Sequence, residues 1–132
     1  MTYKDLADLI FPNITKTVKD YEEIYPERDL PEGAMVTRFA PSPTGFVHMG
    51  SLLASFISNK AAKDTKGVFF LRIEDTDQKR EVENGIEGIV DDLKNFKIKI
   101  DEGALSRKES IGKYGPYFKV KEKKYIMPLL NT

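Results

Sequence analysis

Twice in this chain an apolar run gives way to a loop crowded with polar and backbone-setting residues, and each loop opens a segment with apolar residues at helical spacing. The first run, Met35 to Ala40 (MVTRFA), reads as a buried strand ending at Pro41. After the loop Pro41 to Val47 come Met49, Leu52, Leu53, Phe56 and Ile57, spaced i, i+3, i+4, i+7, i+8. That spacing predicts an amphipathic helix with those residues as its apolar face, ending near Asp64. The second run, GVFFLRI from Gly67, is continuous enough for a strand covered on both faces. Beyond the acidic stretch EDTD (Glu74 to Asp77), Val82, Ile86, Ile89, Val90 and Leu93 mark another helix face. Ile98 and Ile100 alternate with lysines and suggest a short third strand, and Gly103 to Gly115 reads as a loop.

Alternation of strand and helix predicts an α/β fold: a parallel sheet with right-handed crossovers, the start of a doubly wound, Rossmann-like, nucleotide-binding architecture. Ligands in such sheets sit beyond the carboxyl ends of the strands. Both chemically loaded loops follow strands directly, so they are expected to share one rim. Residues 1–34 form a leader in which Leu6, Leu9 and Ile10 line one short helix and Lys16 to Ile24 form a second, followed by Pro26, Pro31 and Gly33. The expected division is 1–34 leader, 35–118 partial catalytic domain and 119–132 tail.

Bulk properties narrow the class without naming a partner. A chain of 132 residues suits one modest domain, and its 21 basic and 21 acidic side chains balance. The absence of cysteine removes disulfides and thiolate metal sites, and agrees with a reducing compartment. No apolar run reaches membrane-spanning length, and MTYKDLADLIF lacks the order of a signal peptide. The expectation is a cytoplasmic protein with no membrane partner.

The first loop, in RFAPSPTGFVHMG, carries the single histidine of the chain. Pro41 and Pro43 hold the path, Gly45 permits a sharp turn, and Gly50 leaves the backbone open to a flat ligand. Ser42, Thr44 and His48 supply donors beside a helix amino terminus, parts that suit a nucleotide phosphate, although no Walker or dinucleotide pattern is present. A proline-stiffened turn with a surface histidine fits the same residues. In LRIEDTDQKR, the residues Arg72, Glu74, Asp75 and Asp77 suit an amine, ribose hydroxyls or hydrated magnesium, or else a helix cap at Thr76 or Asp77.

RFAPSPTGFVHMG followed roughly twenty residues later by LRIEDTD resembles the amino-terminal half of bacterial-type glutamyl-tRNA synthetases, class I enzymes with a Rossmann-like catalytic domain. The resemblance extends from about Val36 to Phe118 and includes DEG at Asp101–Gly103 and YGPY at Tyr114–Tyr117. Glutaminyl and archaeal-type relatives carry versions like PPEPNG and DDTN, so APSPTG and EDTD point to the bacterial glutamyl side. The resemblance implies that His48-Met49-Gly50-Ser51 matches the class I HIGH element, with Ser51 in place of its second histidine. It implies ATP binding by Thr44, His48 and Gly50, with His48 also catalytic, and glutamate binding by Arg38, Ala40, Ser42 and Glu74. ATP would be a substrate accompanied by Mg2+, with no protein-held metal, and tRNA(Glu) the acceptor. Bidentate pairing of Arg38 with a carboxylate and capture of the ammonium by Glu74 are chemically sensible.

The family's KMSKS-type loop, acceptor-stem insertion and anticodon-binding region are not among these residues, so the chain is expected to be a truncated first part of the enzyme with little aminoacylation of its own. Two other readings stay open: the shorter paralogue that glutamylates queuosine on tRNA(Asp), against which the leader argues, and a non-catalytic nucleotide- or protein-binding fragment. After YGPYF the family continues with something like QSxRxxIY, whereas this chain reads KVKEKKYIMPLLNT. Restoring one C after the Phe118 codon, in a coding string compatible with the tail, yields QSQRKKIYHAFAKY. Residues 119–132 are therefore expected to be an out-of-frame or disordered tail. A genuine basic tail is the competing reading, since seven basic and two acidic residues lie from Ser106 onward, with Tyr and Phe interleaved.

Overall fold

A computed structural model describes residues 2–10, 12 and 16–120. The helices are α1 (Tyr3–Ile10), α2 (Val18–Ile24), α3 (Met49–Asp64) and α4 (Gly85–Asn95), and the strands are β1 (Val36–Phe39), β2 (Val68–Leu71), β3 (Glu102–Ala104) and β4 (Ser110–Ile111). A single 3-10 turn, Gln78–Arg80, precedes α4. Most of the tail, residues 121–132, lies outside the described residues, as do Phe11 and residues 13–15 of the leader.

The sheet runs β1-β2-β3-β4. β1 and β2 pair in parallel, Val36 opposite Val68 through Phe39 opposite Leu71, and β2 pairs in parallel with β3, Phe70 opposite Glu102. Helices α3 and α4 make the two crossovers, as the strand–helix alternation predicts. β4 then turns back antiparallel on β3. Phe69, Leu71 and Ile73 alternate onto one face and are fully buried in one core with Leu52 and Ala62 of α3 and with Ile86, Ile89 and Leu93 of α4. Each of these Phe, Leu and Ile side chains contributes about 1.5–3 kcal/mol by leaving water.

Three local expectations are corrected. β1 is not buried: Val36 and Arg38 are exposed and Thr37 and Phe39 half-buried, because β1 ends the sheet among the described residues. β2 is fully covered on one face only, since Val68 and Phe70 are half-buried. The third strand falls at Glu102–Ala104 rather than over Ile98 and Ile100, so part of the expected 103–115 loop is a hairpin. Gly103 makes this approach possible: a Cβ there would lie 2.3 Å from the Leu71 carbonyl oxygen, at a φ of +137°.

Helix α3 has the expected span, but a different face is buried. Leu52, Ser55, Asn59 and Ala62 face the interior, while Met49, Leu53, Phe56 and Ile57 are exposed. Small Ser55 and Ala62 let the helix lie close on the sheet, and three polar links fix its rotation. The Thr37 hydroxyl donates to the Ser58 carbonyl at 2.7 Å, Asn59 donates to the Lys99 carbonyl at 2.8 Å, and the Met35 N–H donates to the Thr65 hydroxyl at 2.9 Å. The large apolar side chains consequently point away from the sheet. Both α3 and α4 end in a Schellman pattern, with Lys66 (φ 56°) and Lys97 (φ 58°) in the left-handed position usually held by glycine. The closing bonds are Gly67 N–H to the Ala62 carbonyl and Ile98 N–H to the Leu93 carbonyl, each 2.8 Å.

Candidate functional site

The loops after β1 and β2 leave the carboxyl ends of adjacent parallel strands and are hydrogen-bonded to each other. Arg72 N–H donates to the Phe39 carbonyl at 2.9 Å and Glu74 N–H to the Pro41 carbonyl at 3.0 Å, which extends the ladder past the strands. Pro43 is fully buried and its carbonyl accepts from Val82 N–H at 3.0 Å. Gly85 opens α4 against the same carbonyl, where a Cβ would sit 2.8 Å from the oxygen. Pro43 thus pins the first loop from beneath, while Ser42, Thr44 and His48 remain exposed above it.

His48 is the N-cap of α3, at φ −82° and ψ 164°. Its Nδ1 accepts from Ser51 N–H at 3.4 Å, which requires a lone pair on Nδ1 and leaves Nε2 to carry the proton of the neutral ring. Nε2 lies 3.2 Å from the Ser51 hydroxyl and faces solvent with it. A Cβ on Gly50 would meet only the His48 ring, at 3.5 Å, so the surface above Gly50 is open. The first-turn N–H groups of α3 have no acceptor within the helix and suit an anion.

Strand period places the remaining candidates. Arg38 lies opposite Phe70 in register, so Arg38, Phe70, Arg72 and Glu74 share the face opposite α3, whereas Ile73 and Asp75 point the other way. Arg38 is exposed and pairs with no carboxylate among the described residues, and Ala40 is half-buried beside it. Glu74 is half-buried, with Arg72 Nη2 3.4 Å from Oε1 and the Lys119 ammonium on Oε2. The structure therefore groups Arg38 with Glu74 on one face and sets His48 at the helix end, with the first loop running between them.

Arg107 escaped the sequence reading, and Asp75, offered there to an amine, ribose hydroxyls or magnesium, is instead paired inside the protein. Asp75 is 3% exposed, and its carboxylate accepts from Arg107 Nη1 and from Val120 N–H at 3.0 and 2.9 Å. Arg107 also pairs with Glu81, and hydrogen bonding to Glu81, then to Asp75, raises its pKa further despite partial burial. Alternation past the end of β2 is the signal that turns Asp75 inward beside Glu74, but nothing in the polar loop marks Arg107 as its partner. The expected helix cap also differs. Asp77 precedes the 3-10 turn without capping it and instead accepts from Arg80 Nε at 2.5 Å.

Residues 34–130 match the family model described as tRNA synthetases class I (E and Q), catalytic domain. The chain belongs to this family. It is 54% identical over 119 residues to the glutamate–tRNA ligase of Acetivibrio thermocellus, covering 89% of this chain and 22% of that protein. It is 53% identical over 117 residues to that of Clostridium perfringens, covering 89% and 21%. The chain thus spans about a fifth of the length of the curated relatives it matches. Among solved structures it is similar to the glutamate-tRNA synthetase of Elizabethkingia anophelis, with a TM-score of 0.62 and 36% identity over 75% of this chain and 20% of that one. A glutamate tRNA ligase from Elizabethkingia meningosepticum in complex with its amino acid is similar at a TM-score of 0.61 and 36% identity, over 74% and 20%. The family is one of aminoacyl-tRNA ligases, and the α/β sheet described above is part of its catalytic domain.

Among the described residues no group of three His, Asp or Glu side chains could hold a metal ion, and no helix is long and apolar enough to cross a membrane.

Proposed function

We propose that this chain is part of a cytoplasmic glutamate–tRNA ligase and supplies the rim on which ATP and glutamate meet. The observation that carries the reading is the bond from Glu74 N–H to the Pro41 carbonyl, which locks the two motif loops into one surface. On that surface Arg38 holds the side-chain carboxylate of glutamate, aided by Ser42 and the small Ala40, and Glu74 receives the ammonium. Thr44 and the open backbone of Gly50 hold the nucleotide. Mg2+ arrives on the ATP phosphates rather than in a protein-held site.

In the reaction, a glutamate α-carboxylate oxygen bonds to the α-phosphorus of ATP as the bond to the bridging oxygen breaks, releasing pyrophosphate. The His48 Nε2–H donates to a non-bridging α-phosphate oxygen as charge develops there, without itself bonding to phosphorus. Positioning does much of the rest, since two bound reactants held in line gain the advantage of an intramolecular reaction. A terminal hydroxyl of tRNA(Glu) then attacks the adenylate carbonyl and AMP leaves.

The relatives named above are glutamate–tRNA ligases, which favours this reading over the queuosine-modifying paralogue. Photolabelling with an azido-ATP tests the nucleotide half: labelling near Thr44–Ser51, suppressed by ATP and lost in His48→Ala, supports it, and labelling indifferent to both rejects it. The out-of-frame origin of residues 119–132 stays a reading of sequence alone, decided by whether the locus, once sequenced, resumes a synthetase frame.

A further inference from the structure

The Glu74 carboxylate already carries two cations. Arg72 Nη2 lies 3.4 Å from Oε1, and the Lys119 ammonium donates to Oε2. Backbone bonds fix Lys119 in that place. Ile73 N–H donates to the Tyr117 carbonyl at 2.9 Å, and Lys119 N–H donates to the Ile73 carbonyl at 3.0 Å. Val120 N–H donates to the buried Asp75 carboxylate at 2.9 Å. Residues 117–120 therefore run beside the second motif loop, with a parallel bridge between Ile73 and Phe118, and Lys119 has only to extend its side chain to reach Glu74. Arg38, the other charged candidate on this face, keeps its guanidinium without a carboxylate partner among the described residues.

We propose that Lys119 is a determinant of amino-acid binding: its ammonium stands where the α-ammonium of an incoming amino acid must sit on Glu74. The inference rests on Glu74 being the amine acceptor. A third cation at contact distance would meet the repulsion of the other two, so substrate competes with Lys119 for Oε2, Arg72 being the more enclosed of the two. The Lys119 side chain is 40% exposed and can swing into water, which makes the block a competition and not a closure. A partly exposed ion pair of this kind is broken at modest cost, so its loss should strengthen amino-acid binding about five-fold. The tether keeps Lys119 present at a fixed local concentration however dilute the protein is.

The test titrates L-glutamate and glutarate, the same dicarboxylate without the ammonium, into the 132-residue chain and into Lys119→Gln, Lys119→Met and Lys119→Arg, with circular dichroism confirming the fold. The expected result is an approximately five-fold gain for L-glutamate in the two neutral variants, none for glutarate, and parent-like binding in Lys119→Arg. L-glutamate binding that is unchanged, weaker or undetectable in both neutral variants overturns the inference, as does an equal gain for glutarate. Adding Glu74→Gln separates the two levels. If it leaves L-glutamate binding intact, the reading of Glu74 fails. If it abolishes binding while Lys119→Gln matches the parent, only the role of Lys119 fails.

Discussion

Arg28 and Glu102 lie 74 positions apart and form a two-pronged ion pair, with Arg28 Nη2 2.9 Å from Oε2 and Nη1 on Oε1. The Arg28 guanidinium also stacks 3.7 Å from the centre of the Tyr114 ring. The Tyr117 hydroxyl donates to the same carboxylate at 2.9 Å and accepts from Tyr114 N–H at 3.1 Å. The leader is thereby tied to β3 and to the YGPY segment.

Arg28→Ala should release the leader and destabilise the chain by about 1–3 kcal/mol, the range for losing a charge-assisted pair that is mostly enclosed. Urea unfolding gives the energy, and limited proteolysis at Lys16 and Lys19 reports the release. Equal stability and an unchanged cleavage rate would show that the contact holds nothing.

The same cluster fixes a pH response. Burial alone would raise the Glu102 carboxyl, but hydrogen bonds from Arg28 and Tyr117 outweigh it and hold the group below its ordinary 4.5. A carboxyl lowered by folding stabilises above its unfolded pKa, and that contribution is lost as pH falls through the lower, folded value. Tyr117 moves the opposite way, pushed up from 10.0 to about 12 by burial and then by its bond to Glu102. Its contribution is complete below pH 10 and is lost as pH rises toward 12. Ultraviolet titration should show a tyrosine that ionises only near pH 12, and Glu102→Gln should bring it part of the way down.

Helix α3 offers a paired test. Leu53→Gln with Ile57→Thr, on the exposed face, should change stability by no more than about 0.5 kcal/mol and raise solubility. Ser55→Leu, on the enclosed face, should cost about 1–3 kcal/mol by overpacking against the sheet. The reverse order, seen in thermal unfolding, would restore the face suggested by the apolar spacing.

Lys97 holds a left-handed conformation at the end of α4, where a side chain is strained. Lys97→Gly should stabilise the chain by up to about 1 kcal/mol, because relief of that strain exceeds the entropy glycine brings to the unfolded state. A lowered melting temperature would contradict this.

The parts legible in sequence were those whose cause is local. Pro41 stops β1, His48 starts α3, and the apolar period from Ile86 to Leu93 orients α4 as read, although Val82, read on the same face, lies before the helix and is exposed. The rest depended on long-range contacts. Ile98 looks like strand, yet the Schellman turn at Lys97 folds it back into the core, and Gly103 moves the pairing downstream to Glu102. Met49, Leu53, Phe56 and Ile57 have a good helical period, but Ser55, Asn59 and Ala62 fit closely against the sheet and take the inner face. At the rim, the motif loops were plain from their residue types, whereas Arg107 on Asp75 and Lys119 on Glu74 join residues 32 and 45 positions apart.

We propose, then, that the loops after β1 and β2 form one site for a glutamyl nucleotide. Amide chemical-shift mapping with a non-hydrolysable glutamyl-adenylate analogue tests it most directly, using Lys119→Gln alongside the parent chain. Saturable shifts are expected at Arg38, Ser42, Thr44, His48–Ser51 and Glu74, lost for the nucleotide end in His48→Ala. Shifts confined to the lysine-rimmed groove of Lys94, Lys97, Lys99 and Ile111, or no saturable shift in either protein, would contradict it.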